Sequence, residues 1–243
     1  MINLKAYFGD AYVINLVNRP DRRIEFEHRA AKAKIIGYEF VRAVHGDSCV
    51  PPNWWRSGNG AWGCLMTHLR IAQDAIMDGL KNYVVFEDDV VFSSTFSEEL
   101  PKIMKILRAR EDEWDMLYLG GQHLYNETSP PWHYDQGIVR CNNVNRTHAM
   151  VVNARFMVKF CQHIIHAPDY IASHIKPVSP NKRLHIDGVK EFMNHIDHQL
   201  GKLHRDHVTL AVQPWLCGQG GGDSSITGQK EKEMWWDDNG WGK

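Results

Sequence analysis

Residues 83–92 read YVVFEDDVVF: an apolar run, three consecutive carboxylates at Glu87, Asp88 and Asp89, and then apolar residues again. A short continuous apolar run marks a strand covered on both faces, as in parallel sheets. In open α/β sheets the ligand crevice lies just beyond the carboxyl ends of such strands. Buried carboxylates at that end are costly unless cations or strong donors face them. A hard divalent cation, Mg²⁺ or Mn²⁺, shared between a carboxylate and substrate phosphates meets that need with oxygen ligands. The competing reading is a solvated acidic turn between two strands, which the apolar flanks disfavour.

On either side the pattern alternates. Residues 11–17 (AYVINLV) form a buried strand, followed by a helix with Pro20 in its first turn. Residues 38–44 give a second strand and 45–60 a Pro-, Gly- and Asn-rich loop. From Ala61 the residues Leu65, Leu69, Ala72 and Ile76 fall at helical spacing. A helix over 100–110 precedes a strand over 115–119 ending at Gly120-Gly121, and residues 121–145 are polar with little periodicity. Residues 147–152 read as a strand, with Asn153 capping a helix to about His166. Ile186, Val189, Met193, Ile196, Leu200 and Leu203 make a helical stripe broken near His195. A strand over 208–212 leads into a glycine-rich loop at 217–223. Strands alternating with helices define an α/β sandwich, a mostly parallel central sheet flanked by helices.

Composition narrows the function. The chain has 243 residues and a formal net charge of −1, which gives no basis for broad nucleic-acid or anionic-membrane binding. Its five cysteines are widely spaced without a CxxC pair, which points to neither a disulfide framework nor a structural zinc site, and fits a reducing compartment. The fourteen histidines show no HxH or HExxH spacing. Neither a secretion signal nor a transmembrane segment of about 18 apolar residues is visible. The sequons at Asn126 and Asn145 then read as chance, and the expected location is cytoplasmic or peripheral to the inner membrane.

Together with GAWGCLMTHL upstream, YVVFEDDVVF resembles glycosyltransferase family 25, whose members include lipooligosaccharide and collagen galactosyltransferases. Further blocks in the family's order are VINLVNRPDRR (13–23), WDMLYLGG (114–121), RTHAMVVNARF (146–156), IDHQL, QPWLCGQ and DSSI. Thr67 stands where the family usually has Ser. The resemblance implies a GT-A-type nucleotide-binding sandwich, one glycosyltransferase domain over 1–243. Its donor-binding half would span about 1–122 and its acceptor-side half about 123–243.

It also implies roles. The EDD motif is similar to the DxD motif of nucleotide-sugar enzymes, so Asp89 becomes the ligand of Mn²⁺ (or Mg²⁺), and Glu87 or Asp88 faces the ribose or the rest of a UDP-sugar. Asn15, Arg19 and Arg22, around the end of the first strand, are donor-binding candidates, with arginine suited to phosphate. His68 either positions the donor or buttresses Asp88, and Gly60 and Gly63 let the helix N-terminus approach a ligand. Asp197 is the candidate base toward the acceptor hydroxyl, with Asp187 its competitor, and His198 a candidate second metal ligand. Gln219, Asp223 and Ser225 become donor or acceptor contacts on a loop that orders with substrate. Trp54, Trp55 and Trp132 either stack on sugar rings or pack their loops down. The expected activity is metal-dependent, inverting transfer of a hexose, galactose by default, from a UDP-sugar to a glycan, glycolipid or other hydroxyl-bearing acceptor. The alternative is a catalytically silent nucleotide-sugar or carbohydrate-binding module on the same fold.

Overall fold

The computed structural model describes residues 1–124, 130–165, 189–191, 193–224, 226 and 228–236. In chain order the first elements are β1 (Ile2–Asn3), β2 (Asp10–Asn15), α1 (Pro20–Lys32), β3 (Ile35–Ile36), β4 (Glu39–Arg42), α2 (Gly58–Met77), β5 (Asn82–Glu87) and β6 (Val90–Phe92). Then come α3 (Phe96–Arg108), β7 (Met116–His123), β8 (Trp132–Asp135), β9 (Ile138–Arg140), β10 (Val144–Asn153) and α4 (Ala154–Ile164). The last are α5 (Ile196–Leu203), β11 (Thr209–Val212), β12 (Cys217–Gln219), β13 (Gly222–Asp223) and β14 (Lys230–Glu231).

A central eight-stranded sheet has the order β4-β2-β5-β10-β7-β11-β9-β8. β4, β2 and β5 are mutually parallel, and β7 is parallel to β11. β10 runs against both of its neighbours, as β9 does against β11 and β8. All strands except β10 and β9 therefore share one direction, and the expected α/β architecture with a central sheet and flanking helices is the one observed. From β2 the chain crosses through α1 to β4 on one side, whereas from β5 it moves on toward β7 on the other. The carboxyl ends of β2 and β5 thus flank a topological switch point, where open α/β sheets form their crevice.

The side chains explain why these elements sit here. Tyr83, Val84, Val85 and Phe86 are all buried, as expected for a strand covered on both faces. Pro20 occupies the start of α1, where its missing N–H costs nothing. Phe26 on α1 is fully buried, its ring 5.2–6.4 Å from those of Tyr38, Phe40, Phe86 and Phe92. This cluster joins α1 to β4, β5 and β6. On α2, Gly63 permits a close approach: a Cβ there would lie 2.3 Å from the Val44 carbonyl oxygen.

The VVF after the carboxylates is a strand separate from β5. It turns away as β6 and pairs antiparallel with β12, Val90 opposite Gln219. α3 starts at Phe96 and carries Pro101 inside it, because Phe96, Leu100, Ile103, Met104 and Leu107 form one buried stripe and Glu98 and Glu99 suit its first turn. β7 runs through Gly120-Gly121, where a Cβ on Gly120 would lie 2.3 Å from the Cys217 carbonyl oxygen. The polar stretch 121–145 contains the β8–β9 hairpin, turned at Gly137 with φ +70°. Of the 186–203 stripe only Ile196–Leu203 is helical among the described residues, and Val189 instead bridges Ile165. The 217–223 loop holds β12 and β13. Among the described residues no helix is long and apolar enough to cross a membrane.

Candidate functional site

At the end of β5 the backbone turns over Asp88 and Asp89, and both are buried. Asn15, the last residue of the adjacent β2, donates from Nδ2 to Asp88 Oδ2 at 2.7 Å and to the Arg19 carbonyl oxygen at 3.1 Å. Arg22, in the first turn of α1, donates from Nη1 to Asp88 Oδ1 at 3.0 Å and lies 3.5 Å from Asp89 Oδ2. Its Nη2 donates to the Asp223 carbonyl oxygen at 2.9 Å. The β6–β12 pairing brings Gln219 alongside, and its Nε2 donates to Asp89 Oδ2 at 3.2 Å. Asp89 Oδ1 is buried and has no hydrogen-bond partner among the described residues.

The neighbouring Glu87 has a different environment. Thr147 on β10 donates its hydroxyl to Glu87 Oε1 at 2.6 Å, and His68 Nε2 on α2 lies 3.6 Å from the same oxygen. Burial pushes Glu87 up, but His68, the Thr147 hydroxyl and His148 outweigh it and hold the carboxyl well below the usual range. Asp89 is pushed the other way, up to about 7, by burial first and then by the charge of Glu87, with Arg22 opposing. Asp88 is raised by burial, with Arg22 and Asn15 opposing.

These groups face a cleft of about 450 Å³, within the usual size range for small-molecule sites. Glu87, Asp88, Asp89, Arg22, His68 and Gln219 line it, and Asp197 enters it from the first turn of α5. The cleft therefore draws on both halves of the chain.

Other candidates fall elsewhere. Arg19 clamps Asp21 with two guanidinium nitrogens and reaches the Asp223 carbonyl, so the arginine on the carboxylates is Arg22. His68 faces Glu87 rather than buttressing Asp88, a task that Asn15 performs. Gly63 packs on Val44, while Gly60, Ala61, Cys64 and Thr67 border the cleft. Thr67 donates to the Gly63 carbonyl at 2.7 Å and accepts from the Val44 amide at 2.9 Å, a bridge that needs only a hydroxyl. His198 is exposed, within hydrogen-bonding distance of Asn194 and packed on His195, and it does not line the cleft that Asp89 lines. Asp223 contributes its backbone carbonyl, and its side chain is exposed. Asp187 and Ser225 lie outside the described residues. Trp54 and Trp55 pack edge-to-face on each other and on Trp62, so they hold the loop down.

The sequence pattern does not single out Arg146 or His148, which also line the cleft. The β10–β7 register slips between Asn145 and Ala149, and Arg146 has φ +81°. This bulge turns the polar triplet 146–148 toward Glu87. An Arg-Thr-His run at the mouth of an apolar strand is the same kind of signal as the acidic triplet.

Comparison with known proteins shows the family. Residues 8–173 match Glycosyltransferase family 25 (LPS biosynthesis protein), and the chain belongs to that family. It is similar to inactive glycosyltransferase 25 family member 3 of Homo sapiens, 31% identical over 140 residues, 51% of this chain and 23% of that protein. It is also similar to procollagen galactosyltransferase 1 of Danio rerio, 26% identical over 140 residues, again 51% of this chain and 23% of that one. The chain thus spans under a quarter of the length of these relatives. Among solved structures, A197 from STIV superposes with a TM-score of 0.44 at 11% identity, covering 92% of this chain and 93% of that one, too distant a likeness to bear on activity.

Proposed function

We propose that this chain is a glycosyltransferase that moves a hexose, galactose by default, from a UDP-sugar to an acceptor hydroxyl with inversion. The observation that carries the reading is the Asp89 carboxylate: buried at the switch point, lining a cleft, and with one oxygen unpartnered among the described residues. The three carboxylates do not converge on a single point, because Arg22 stands between Asp88 and Asp89. Such a site suits a cation that takes one protein carboxylate and completes its shell with phosphate oxygens, as Mg²⁺ and Mn²⁺ do. Bound at Asp89, the ion would neutralise charge developing on the leaving diphosphate. Arg22 offers guanidinium donors beside the same phosphates, held in place by Asp88 and the Asp223 carbonyl. Asp197 takes the acceptor's proton as the hydroxyl oxygen attacks the anomeric carbon from the face opposite the diphosphate.

The experiment is a UDP-release assay across a panel of UDP-sugars and candidate hydroxyl acceptors, with and without Mn²⁺, comparing the native chain with Asp89→Asn. Metal-dependent release with one sugar, lost in the variant, supports the reading. Equal release by both proteins overturns it.

A second reading, a silent module that binds a nucleotide sugar without transferring it, is favoured by the human relative being named inactive. Tight UDP-sugar binding without turnover across that acceptor panel would select it. Thr67 does not speak for it, since its hydroxyl serves the bridge that a Ser would serve.

A further inference from the structure

Beside the acidic turn lies a second group of side chains with different chemistry. Cys64 and His68 are four residues apart on α2, which puts them on one face of the helix. That face meets the end of β5 at Glu87. One thiol sulfur, one imidazole nitrogen and one carboxylate oxygen from these three residues all lie within 4.8 Å of one another. His68 is buried; its Nε2 lies 3.6 Å from Glu87 Oε1, beyond hydrogen-bond reach, and its Nδ1 has no hydrogen-bond partner among the described residues, a cost that buried polar groups rarely carry without reason. Cys64 is a free thiol that borders the cleft. Thr147 fixes the Glu87 carboxylate through its 2.6 Å hydrogen bond, as outer-shell groups orient metal ligands.

We propose that Cys64, His68 and Glu87 form a binding site for a zinc-class divalent cation, separate from Asp89. The donor set decides the class. Sulfur and imidazole suit zinc and cobalt, whereas Mg²⁺ and Mn²⁺ prefer oxygen alone. Three protein ligands would leave a fourth position for substrate or water, and all three residues line the cleft. Zinc spacing is invisible in the sequence because the ligands come from one turn of a helix and the end of a strand rather than from a CxxC pair. The site ties α2 to β5 and places a second positive centre next to the acidic turn.

The test is direct titration of the chelator-stripped, full chain with Co²⁺, followed by absorption and then by displacement with Zn²⁺. The expected result is a cysteine-to-cobalt charge-transfer band with intense tetrahedral visible bands, saturating at one equivalent and removed by Zn²⁺. Cys64→Ser should abolish the charge-transfer band while circular dichroism stays native. Thr147→Val should weaken Co²⁺ binding by about 10–100-fold. Asp89→Asn should leave the cysteine-to-cobalt band in place, so the outcome is independent of whether the chain transfers sugar. A folded native chain with no charge-transfer band, or a band that survives in Cys64→Ser, overturns the proposal.

Discussion

Asn15 and Asp88, 73 positions apart in the chain, meet through a 2.7 Å hydrogen bond across the ends of two neighbouring parallel strands. The amide holds Asp88 Oδ2 and leaves Oδ1 to Arg22, so one carboxylate at the end of β5 is clamped by two donors from β2 and α1. The pair is therefore a brace for the acidic turn rather than a surface contact.

Replacing Asn15 with Leu removes the donor and strands a buried carboxylate. The expected loss is about 1–3 kcal/mol of folding stability, read as a lower urea midpoint with an unchanged slope. An unaltered midpoint would show that Asp88 does not depend on this bond.

Thr67 offers a sharper comparison. Thr67→Val leaves the Val44 amide without its acceptor and should destabilise by about 1–3 kcal/mol, whereas Thr67→Ser, which keeps the hydroxyl, should lose no more than about 1.5 kcal/mol. Chemical denaturation of the two variants side by side checks the order.

Arg22 and Arg19 should separate in ligand binding. Arg22→Gln removes the guanidinium from the carboxylate turn and is expected to weaken UDP binding about tenfold or more, corresponding to at least about 1.4 kcal/mol. Arg19→Gln breaks an exposed pair with Asp21 and should change affinity by no more than about fivefold. Calorimetric titration with UDP distinguishes them, and equal effects would remove Arg22 from the donor site.

Asp89 should leave a mark on stability even without ligand. Its folded value, raised by burial and by Glu87 to about 7, lies above the usual 3.8, so between these values the folded chain holds a proton that the unfolded chain has released. Stability contributed by that proton is present at low pH and lost as pH rises toward and through about 7. In chelator, Asp89→Asn should remove this decline and be at least as stable as the native chain at pH 8. Unfolding free energies measured from pH 5.5 to 8 test the sign.

His204 works in the opposite direction. Burial, assisted by His207, lowers it to about 3, and its Nδ1 accepts from the Val144 amide, so it is held neutral. Unfolded histidine titrates near 6.5 and takes up the proton first. Stability should thus be full above about pH 6.5 and fall by up to about 1.4 kcal/mol per pH unit below it for this group. His148, lowered to about 4 mainly by burial, adds to the same slope. Melts of the native chain and His204→Gln between pH 7.5 and 5 check it, the variant showing the flatter profile.

Local signals found most elements. Pro20 marked the start of α1, the Leu65–Leu69–Ala72 stripe marked α2, and Asn153 caps α4 as its side chain accepts from the Arg155 amide. What stayed hidden depends on partners distant in sequence. VVF looks continuous with YVVF because period and composition are the same on both sides of the acids, and only pairing with β12 separates them. Pro101 suggests a helix beginning near it, yet the buried face reaches back to Phe96. At the site the acidic turn was legible from its apolar brackets. The Arg-Thr-His run on β10 carries the same kind of signal, but the bulge that brings Thr147 onto Glu87 has no periodic signature. Arg22 and Arg19 are one turn apart, and only the packing of α1 decides which one reaches Asp88.

Gln219 and Asp89 are separated by 130 positions, and Gly220 donates its backbone N–H to the Asp89 carbonyl at 2.5 Å. This has a consequence for biosynthesis. A nascent chain that has already delivered β5 outside the ribosome still lacks the strand that closes over Asp89, so the acidic turn stays open to water through most of translation. Competence for ligand then arrives late and all at once, when residues 217–220 settle against β6. A chain stopped short of them would carry Glu87, Asp88, Asp89 and Asp197 and still have no finished floor to the cleft.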